Sequence, residues 1–91
     1  ESGYLPKMEY ISDKNILLFT DGYYGIKAIK YDVSYKPMLC GIGYFAPYSD
    51  NTKLAKVTSV VSYFDTDDNN YYVIAGVDGY GLVKFRLEDL L

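Results

Sequence analysis

Short apolar runs, separated by polar turn-forming residues, divide the chain into candidate β-strands. Residues 16–19 and 71–75 are continuous apolar runs of a length typical of strands that are covered on both faces. A polar turn precedes each run, and a further strand is predicted before each turn, at residues 8–12 and 57–64. The pattern therefore predicts two sets of antiparallel strands joined by short turns.

A third strand is predicted in each set, after an Asp-Gly pair. Apolar and charged residues alternate along these third strands, which predicts one buried face and one solvated face. The residues predicted on the buried faces are Ile29, Tyr31, Val33, Val83, Phe85 and Leu87, and those on the solvated faces are Lys30, Asp32, Lys84, Arg86 and Glu88.

The two Asp-Gly turns belong to an internal repeat. From Gly25 and Gly81 onward, the two segments align position by position without a gap. Glycine supplies the positive φ that tight hairpin turns need, and aspartate bonds to its own turn backbone. The residues predicted to form these structural turns are Asp21, Gly22, Gly25, Asp78, Gly79 and Gly81.

The predicted fold class is all-β, with antiparallel meander repeats that resemble the blades of a β-propeller. Residues 38–45 are predicted as one more strand, which opens the second repeat. The first blade-like repeat then covers residues 1–37 and the second covers residues 38–91. Propellers close with about four to eight blades, so two blades form an incomplete ring.

The Asp-Gly segments resemble the LVIVD repeats of a β-propeller family, over residues 15–37 and 71–89. The resemblance implies a propeller scaffold, often found in secreted or cell-surface proteins, without shared catalytic residues. The matching positions are Asp21-Gly22, Gly25-Ile26, Asp32-Val33-Ser34 and Pro37 in the first copy, and Asp78-Gly79, Gly81-Leu82 and Asp89 in the second.

Two blades leave sheet edges and apolar faces without partners, and three arrangements are open. The chain is part of a longer propeller, or it completes a ring or fibre with copies of itself, or it folds as a two-sheet sandwich. The expected partners are therefore further blades of the same polypeptide or further copies of the chain, joined through sheet edges.

Charge and hydropathy argue against two classes of partner. The net charge is −3, and no basic stripe is present to neutralise the phosphates of a nucleic acid. No apolar run approaches the roughly 20 residues of a membrane-spanning helix. We therefore expect neither nucleic-acid binding nor a membrane span.

Catalytic chemistry is not indicated, and no cofactor is expected. The chain has no histidine, which excludes the usual Cys/His and Ser/His pairs, and its single cysteine, Cys40, is predicted to be a small buried apolar residue. Gly41 and Gly43 lie within a predicted strand, unlike the glycines of a nucleotide-binding loop. Carboxylates at strand ends could serve a glycosidase, but turn formation explains them; they are Asp21, Asp32, Asp78, Glu88 and Asp89.

A weak calcium candidate lies in the second polar turn. Asp65, Asp67 and Asn69 have the alternate spacing of oxygen ligands that opens many calcium loops. The glycine and the glutamate that complete an EF-hand loop are missing, since Asn70 and Gly76 occupy those places. A solvated hairpin turn is the preferred interpretation, and a looser calcium site is the alternative.

Tyrosine is the most unusual feature of the composition, with 12 among 91 residues. Tyrosine favours strands and is also common at interfaces, because it offers a large amphipathic contact area. We expect a non-catalytic structural or interaction module in an extracellular or cell-surface assembly. The alternative is a module that recognises carbohydrate or peptide.

Overall fold

The computed structural model describes residues 6–31, 34, 36–43 and 55–91. Asp32, Val33, the last two residues of the strand predicted at 38–45 and the segment 46–54 lie outside the described residues. The predicted all-β class is confirmed, with one short helical turn at the end. The elements are β1 (Met8–Ile11), β2 (Ile16–Thr20), β3 (Ile26–Tyr31), β4 (Pro37–Gly43), β5 (Val57–Asp65), β6 (Asn70–Val77), β7 (Gly81–Arg86) and α1 (Leu87–Leu90).

The strands form two antiparallel sheets, one with the order β1-β2-β3-β4 and one with the order β5-β6-β7. The sequence prediction placed β4 at the start of the second repeat, and this assignment was wrong. Hydrogen bonding pairs β4 with β3, with a bulge where the register shifts between Ala28 and Ile29. The first sheet therefore has four strands, because β4, which begins at Pro37, pairs with the preceding strand β3.

The central hairpins of the two sheets have the same register, at the offset that relates Gly25 to Gly81. In the first sheet Ile16 pairs with Lys30, and in the second sheet Tyr72 pairs with Arg86. Tyr72 follows Ile16, and Arg86 follows Lys30, by the same number of residues that separates Gly81 from Gly25. The match continues through the successive pairs, up to Thr20 with Ile26 and Gly76 with Leu82. The sequence repeat thus corresponds to a repeat in strand pairing.

The two sheets pack through opposite faces of this repeat. In the first sheet, Leu18 of β2 and Ala28 of β3 are buried in the core. The residues at the equivalent positions of the second sheet are Ile74 and Lys84, and these point away from the core. We call the face with these positions the front face, and the opposite face the back face. The core lies between the front face of the first sheet and the back face of the second, and the buried residues are Ile11, Ile16, Leu18, Ile26, Ala28, Ala55, Val57, Val60, Val73, Ala75, Val77, Leu87 and Leu90.

This packing corrects the predicted buried face of β3. Ile29 and Tyr31 were expected in the core, but both are only half-buried, and Ile26 and Ala28 are fully buried instead. Both faces of β3 carry apolar residues, so alternation alone could not decide between them. In β7 the prediction of exposed Lys84 and Arg86 is confirmed.

The end of the second repeat differs from the predicted strand. Leu87 and Glu88 were assigned to an extended strand, whereas they lie in α1. Leu87 and Leu90 are buried in the core one helical turn apart, so one face of this turn closes the end of the sandwich. Glu88 is exposed, as predicted.

Polar contacts fix the position of the two sheets relative to each other. The Glu9 carboxylate of β1 accepts hydrogen bonds from the backbone N–H and the hydroxyl of Ser62 on β5, at 2.8 and 2.7 Å. At one end the N–H of Val57 donates to the carbonyl of Gly22 at 3.1 Å, which forms a bridge between the sheets. No buried side-chain nitrogen or oxygen among the described residues lacks a partner.

Candidate functional site: two uncovered sheet faces

The back face of the first sheet is almost entirely apolar and has no covering layer among the described residues. Two rows of side chains cross its four strands, and every position except that of Lys27 is aliphatic or aromatic. The exposed fractions of Met8 and Leu39 are 63% and 52%. The rows are Met8, Phe19, Lys27 and Ile42, followed by Tyr10, Leu17, Ile29 and Leu39.

The one charge in these rows is neutralised. Lys27 forms an ion pair with Asp21 at 2.7 Å, and its ammonium group also donates to the carbonyl of Tyr24 at 3.2 Å. The same ammonium lies 5.6 Å from the centre of the Tyr24 ring. A contiguous surface of exposed apolar side chains, with its one charge compensated, is typical of an interaction site.

The front face of the second sheet is the other uncovered surface, and it is more polar. Tyr63 and Tyr72 stack on it, with ring centroids 5.7 Å apart and an interplanar angle of 19°. The ammonium of Lys84 lies 4.6 Å from the centre of the Tyr72 ring and 5.6 Å from that of Tyr63. Leu82, at the edge of this face, is 77% exposed.

Two cations, Lys84 and Arg86, lie on this front face. A side-chain hydrogen bond with Tyr63 raises the pKa of Lys84 above its usual value, and the charge of Glu88 raises the pKa of Arg86. Arg86 also donates to the Glu88 carboxylate at 3.2 Å. Both side chains are therefore protonated at neutral pH and lie beside aromatic rings or a carboxylate.

A small cleft lies between α1 and the turn that joins β5 to β6. Its volume is about 230 Å³, and its lining includes Lys14, Phe64, Tyr71 and Glu88. Ligand pockets usually exceed about 300 Å³, so this cleft is small for an organic ligand. Tyr71 is held here by a hydrogen bond from its hydroxyl to the carboxylate of Asp13 at 2.5 Å.

This contact between the sheets predicts a pH dependence. The hydrogen bond to Asp13 raises the pKa of Tyr71 above its usual value of about 10. The associated stability is complete below the unfolded-state pKa and is lost as the pH rises through the higher folded-state pKa. We expect Tyr71→Phe and Asp13→Ala each to flatten the alkaline decline in stability, measured by urea unfolding between about pH 9 and pH 11. A decline as steep as in the wild type in both variants would contradict this assignment.

The predicted turn residues lie at the hairpin between the second and third strand of each repeat. In the first repeat the N–H of Asp21 donates to the carbonyl of Gly25 at 2.8 Å, and Gly22 has a φ of 57°. In the second repeat the N–H of Asp78 donates to the carbonyl of Lys56 at 2.8 Å, and Gly79 has a φ of 77°. Gly25 and Gly81 also have positive φ, at the residue before β3 and at the first residue of β7. These residues shape the sheets and do not converge on one site.

The calcium candidates lie around the hairpin between β5 and β6. The Asp65 carboxylate accepts a hydrogen bond from the N–H of Asp67 at 2.9 Å, which stabilises the turn itself. Asn69 has a φ of 60°, the conformation that ends such a turn. Within the described ranges, no group of three or more acidic, cysteine or histidine residues could hold a metal ion.

The described residues among those considered for catalysis do not form one cluster. Asp21 is paired with Lys27 in the first hairpin, and Glu88 is paired with Arg86 near the end of the chain. Cys40 is half-buried, and its thiol donates to the carbonyl of Ala28 at 3.4 Å. The only helix in the described ranges is α1, with four residues, and none is long and apolar enough to cross a membrane.

In comparisons with known proteins, no family model, no curated protein and no solved structure matches the chain. The resemblance to LVIVD repeats therefore depends on the Asp-Gly segments themselves. The repeated strand register and the front-to-back packing are properties of this chain, and they are the basis for a function.

Sequence reasoning did not single out the residues of the two uncovered faces. The apolar run at residues 16–19 was expected to be covered on both faces, but Leu17 and Phe19 are only half-buried. That run was the sequence feature that could have indicated the uncovered face. A two-layer fold covers only one face of each sheet, so a strand with two apolar faces leaves one of its faces exposed. The clustering of Tyr63, Tyr72 and Lys84 depends on strand register and had no separate signal.

Proposed function

We propose that this chain is a non-catalytic structural module of a β-propeller type, whose two repeats act as blades and whose uncovered faces bind neighbouring repeats. The observation that carries this proposal is the front-to-back packing of two repeats with the same strand register. Blades of a propeller stack around an axis, each presenting the same face in the same rotational sense. An extracellular or cell-surface assembly is the setting that the resemblance to LVIVD repeats implies.

The back face of the first sheet supports this function through its energetics. Fully burying one large apolar side chain contributes about 1.5–3 kcal/mol. Met8, Tyr10, Leu39 and Ile42 are each about half exposed on this face, so covering each of them contributes part of that amount. Covering them would therefore stabilise an assembly strongly. A repeat unit with an uncovered apolar face gains stability from each neighbour that covers it.

A module that recognises carbohydrate or peptide is the less favoured function. The stacked pair of Tyr63 and Tyr72 is the feature that could serve it. The ammonium of Lys84 lies over both rings and competes with a sugar for that position. The apolar back face of the first sheet has no role in such a function.

The proposed function predicts self-association through the back face. We expect the wild-type chain to form larger species as its concentration rises, and the double variant Leu39→Lys, Ile42→Lys to remain monomeric at the same concentrations. Both side chains are exposed, at 52% and 42%, so lysine is tolerated in the monomer. Sedimentation velocity measures the species, and far-UV circular dichroism checks the fold.

The matched control is Tyr80→Lys. Tyr80 is 58% exposed, but it lies in the turn before β7 and on neither sheet face. It should associate as the wild type does. A wild type that stays folded and monomeric at every concentration, or a Tyr80→Lys variant that loses association equally, would contradict the proposed function.

A further inference from the structure

We propose that the occupant of the first sheet's back face is the front face of the second sheet of another copy of this chain. This inference rests on the proposed function and specifies its partner and its geometry. The copies would join head to tail, each repeating between chains the contact that its own two sheets make within the chain.

The interface inside the chain already joins a front face to a back face of this repeat. Leu18 and Ala28 lie on one side of it, and Val73 and Ala75 lie on the other. After this contact is made, the described residues leave one face of each kind uncovered, the back face of the first sheet and the front face of the second. By position in the repeat, the two remaining faces are therefore equivalent to the two that pack within the chain.

The chemistry of the two uncovered faces is also complementary. The front face of the second sheet presents Lys84, which already lies against the rings of its own sheet, and Arg86, which is paired with Glu88. The back face of the first sheet presents the rings of Tyr10 and Phe19, and its own cation is paired with an aspartate. Cations are attracted to aromatic ring faces, so the two surfaces attract rather than repel each other.

A dimer joined at a single two-fold interface would leave half of the uncovered surface without a partner. Such an interface places the same face on both partners, so it would cover two back faces and leave both front faces uncovered, or the reverse. Pairing unlike faces covers both kinds. Such a head-to-tail contact closes into a ring or continues as an open stack, and about two to four copies supply the about four to eight sheets with which propellers close.

Two blocked variants test this geometry. The back-blocked variant is Leu39→Lys, Ile42→Lys, and the front-blocked variant is Val61→Lys, Leu82→Lys. Val61 and Leu82 are 51% and 77% exposed on the front face of the second sheet. Each variant alone should self-associate at least about 30-fold more weakly than the wild type, the effect of losing an interface hot spot. An equimolar mixture should form a dimer of one copy of each variant and nothing larger.

Each outcome in sedimentation velocity decides between arrangements. A one-to-one dimer in the mixture supports the head-to-tail contact, because only the unblocked front face and the unblocked back face remain available. If one variant alone still dimerises, the contact joins like faces and the inference fails while the proposed function stands. If the wild type associates but the mixture stays monomeric, the pairing of faces is wrong. A monomeric wild type overturns the inference together with the proposed function.

Circular dichroism and thermal unfolding of each variant separate loss of association from loss of fold. If a lysine pair unfolds the chain, Leu39→Ser and Leu82→Ser replace it, because a serine at an exposed position removes the apolar contact without adding charge. The same four outcomes apply to the serine variants.

Discussion

Replacing Leu18 with alanine is expected to lower the free energy of unfolding by about 2–5 kcal/mol. Leu18 lies on central strand β2, its exposed fraction is 0%, and it packs between the two sheets. Truncation removes buried contacts and leaves a cavity that the sheets cannot close without moving. Small domains have a total stability of about 5–15 kcal/mol, so this loss leaves the fold marginal. Urea unfolding followed by circular dichroism measures it.

The neighbouring leucine provides the control. Leu17 has the same side chain on the same strand, but it lies on the back face and is only half-buried. In the monomer, Leu17→Ala should cost clearly less than Leu18→Ala, because less buried surface is lost. Equal losses would mean that the back face is already covered within the monomer, which would contradict the assignment of the two faces.

The second large effect is expected at Gly41, where the first sheet meets the C-terminal helical turn. A Cβ atom at this position would lie 2.5 Å from the carbonyl oxygen of Leu90 and 3.1 Å from its carbonyl carbon. These are backbone atoms, so α1 would have to shift. We expect Gly41→Ala to cost about 1–3 kcal/mol, as overpacking does, and to reduce amide hydrogen-exchange protection in α1 and at its contact with β4.

Gly76→Ala is the matched control for this prediction. Gly76 also lies in the middle of a strand and is half-buried, but the nearest atom to its added Cβ is the hydroxyl of Ser59, a side-chain group that rotates away. Its effect on stability should therefore be small. If both alanine variants lose the same stability, the cause is the general effect of replacing a strand glycine, and the close approach of α1 is not the reason.

The positions of the strands could be predicted because each is specified locally. Continuous apolar runs and alternating segments set the strands, and turn-forming residues separate them. The constant offset between the segments that begin at Gly25 and Gly81 is visible in the sequence, and the same offset relates the strand pairs of the two hairpins. Exposed Lys84 and Arg86 followed from the same alternation.

The candidate site was predictable only in outline. The sequence indicated that two repeats leave apolar surface without a partner, but not which face of which sheet. Rows such as Tyr10, Leu17, Ile29 and Leu39 bring together residues from four strands, and their alignment depends on register and on a bulge. No local pattern contains that information, because each strand contributes only one residue to the row.

Residue order alone determined the strands, the turns and the repeat, because backbone preferences and side-chain alternation act over a few neighbouring residues. Tertiary packing decided which apolar face of β2 and β3 is buried, why β4 joins the first sheet, and why Leu87 to Leu90 turn into a helix over the core. In each case the alternative conformations have similar local energies. The difference in free energy between them arises only when the two sheets pack and water leaves the space between them.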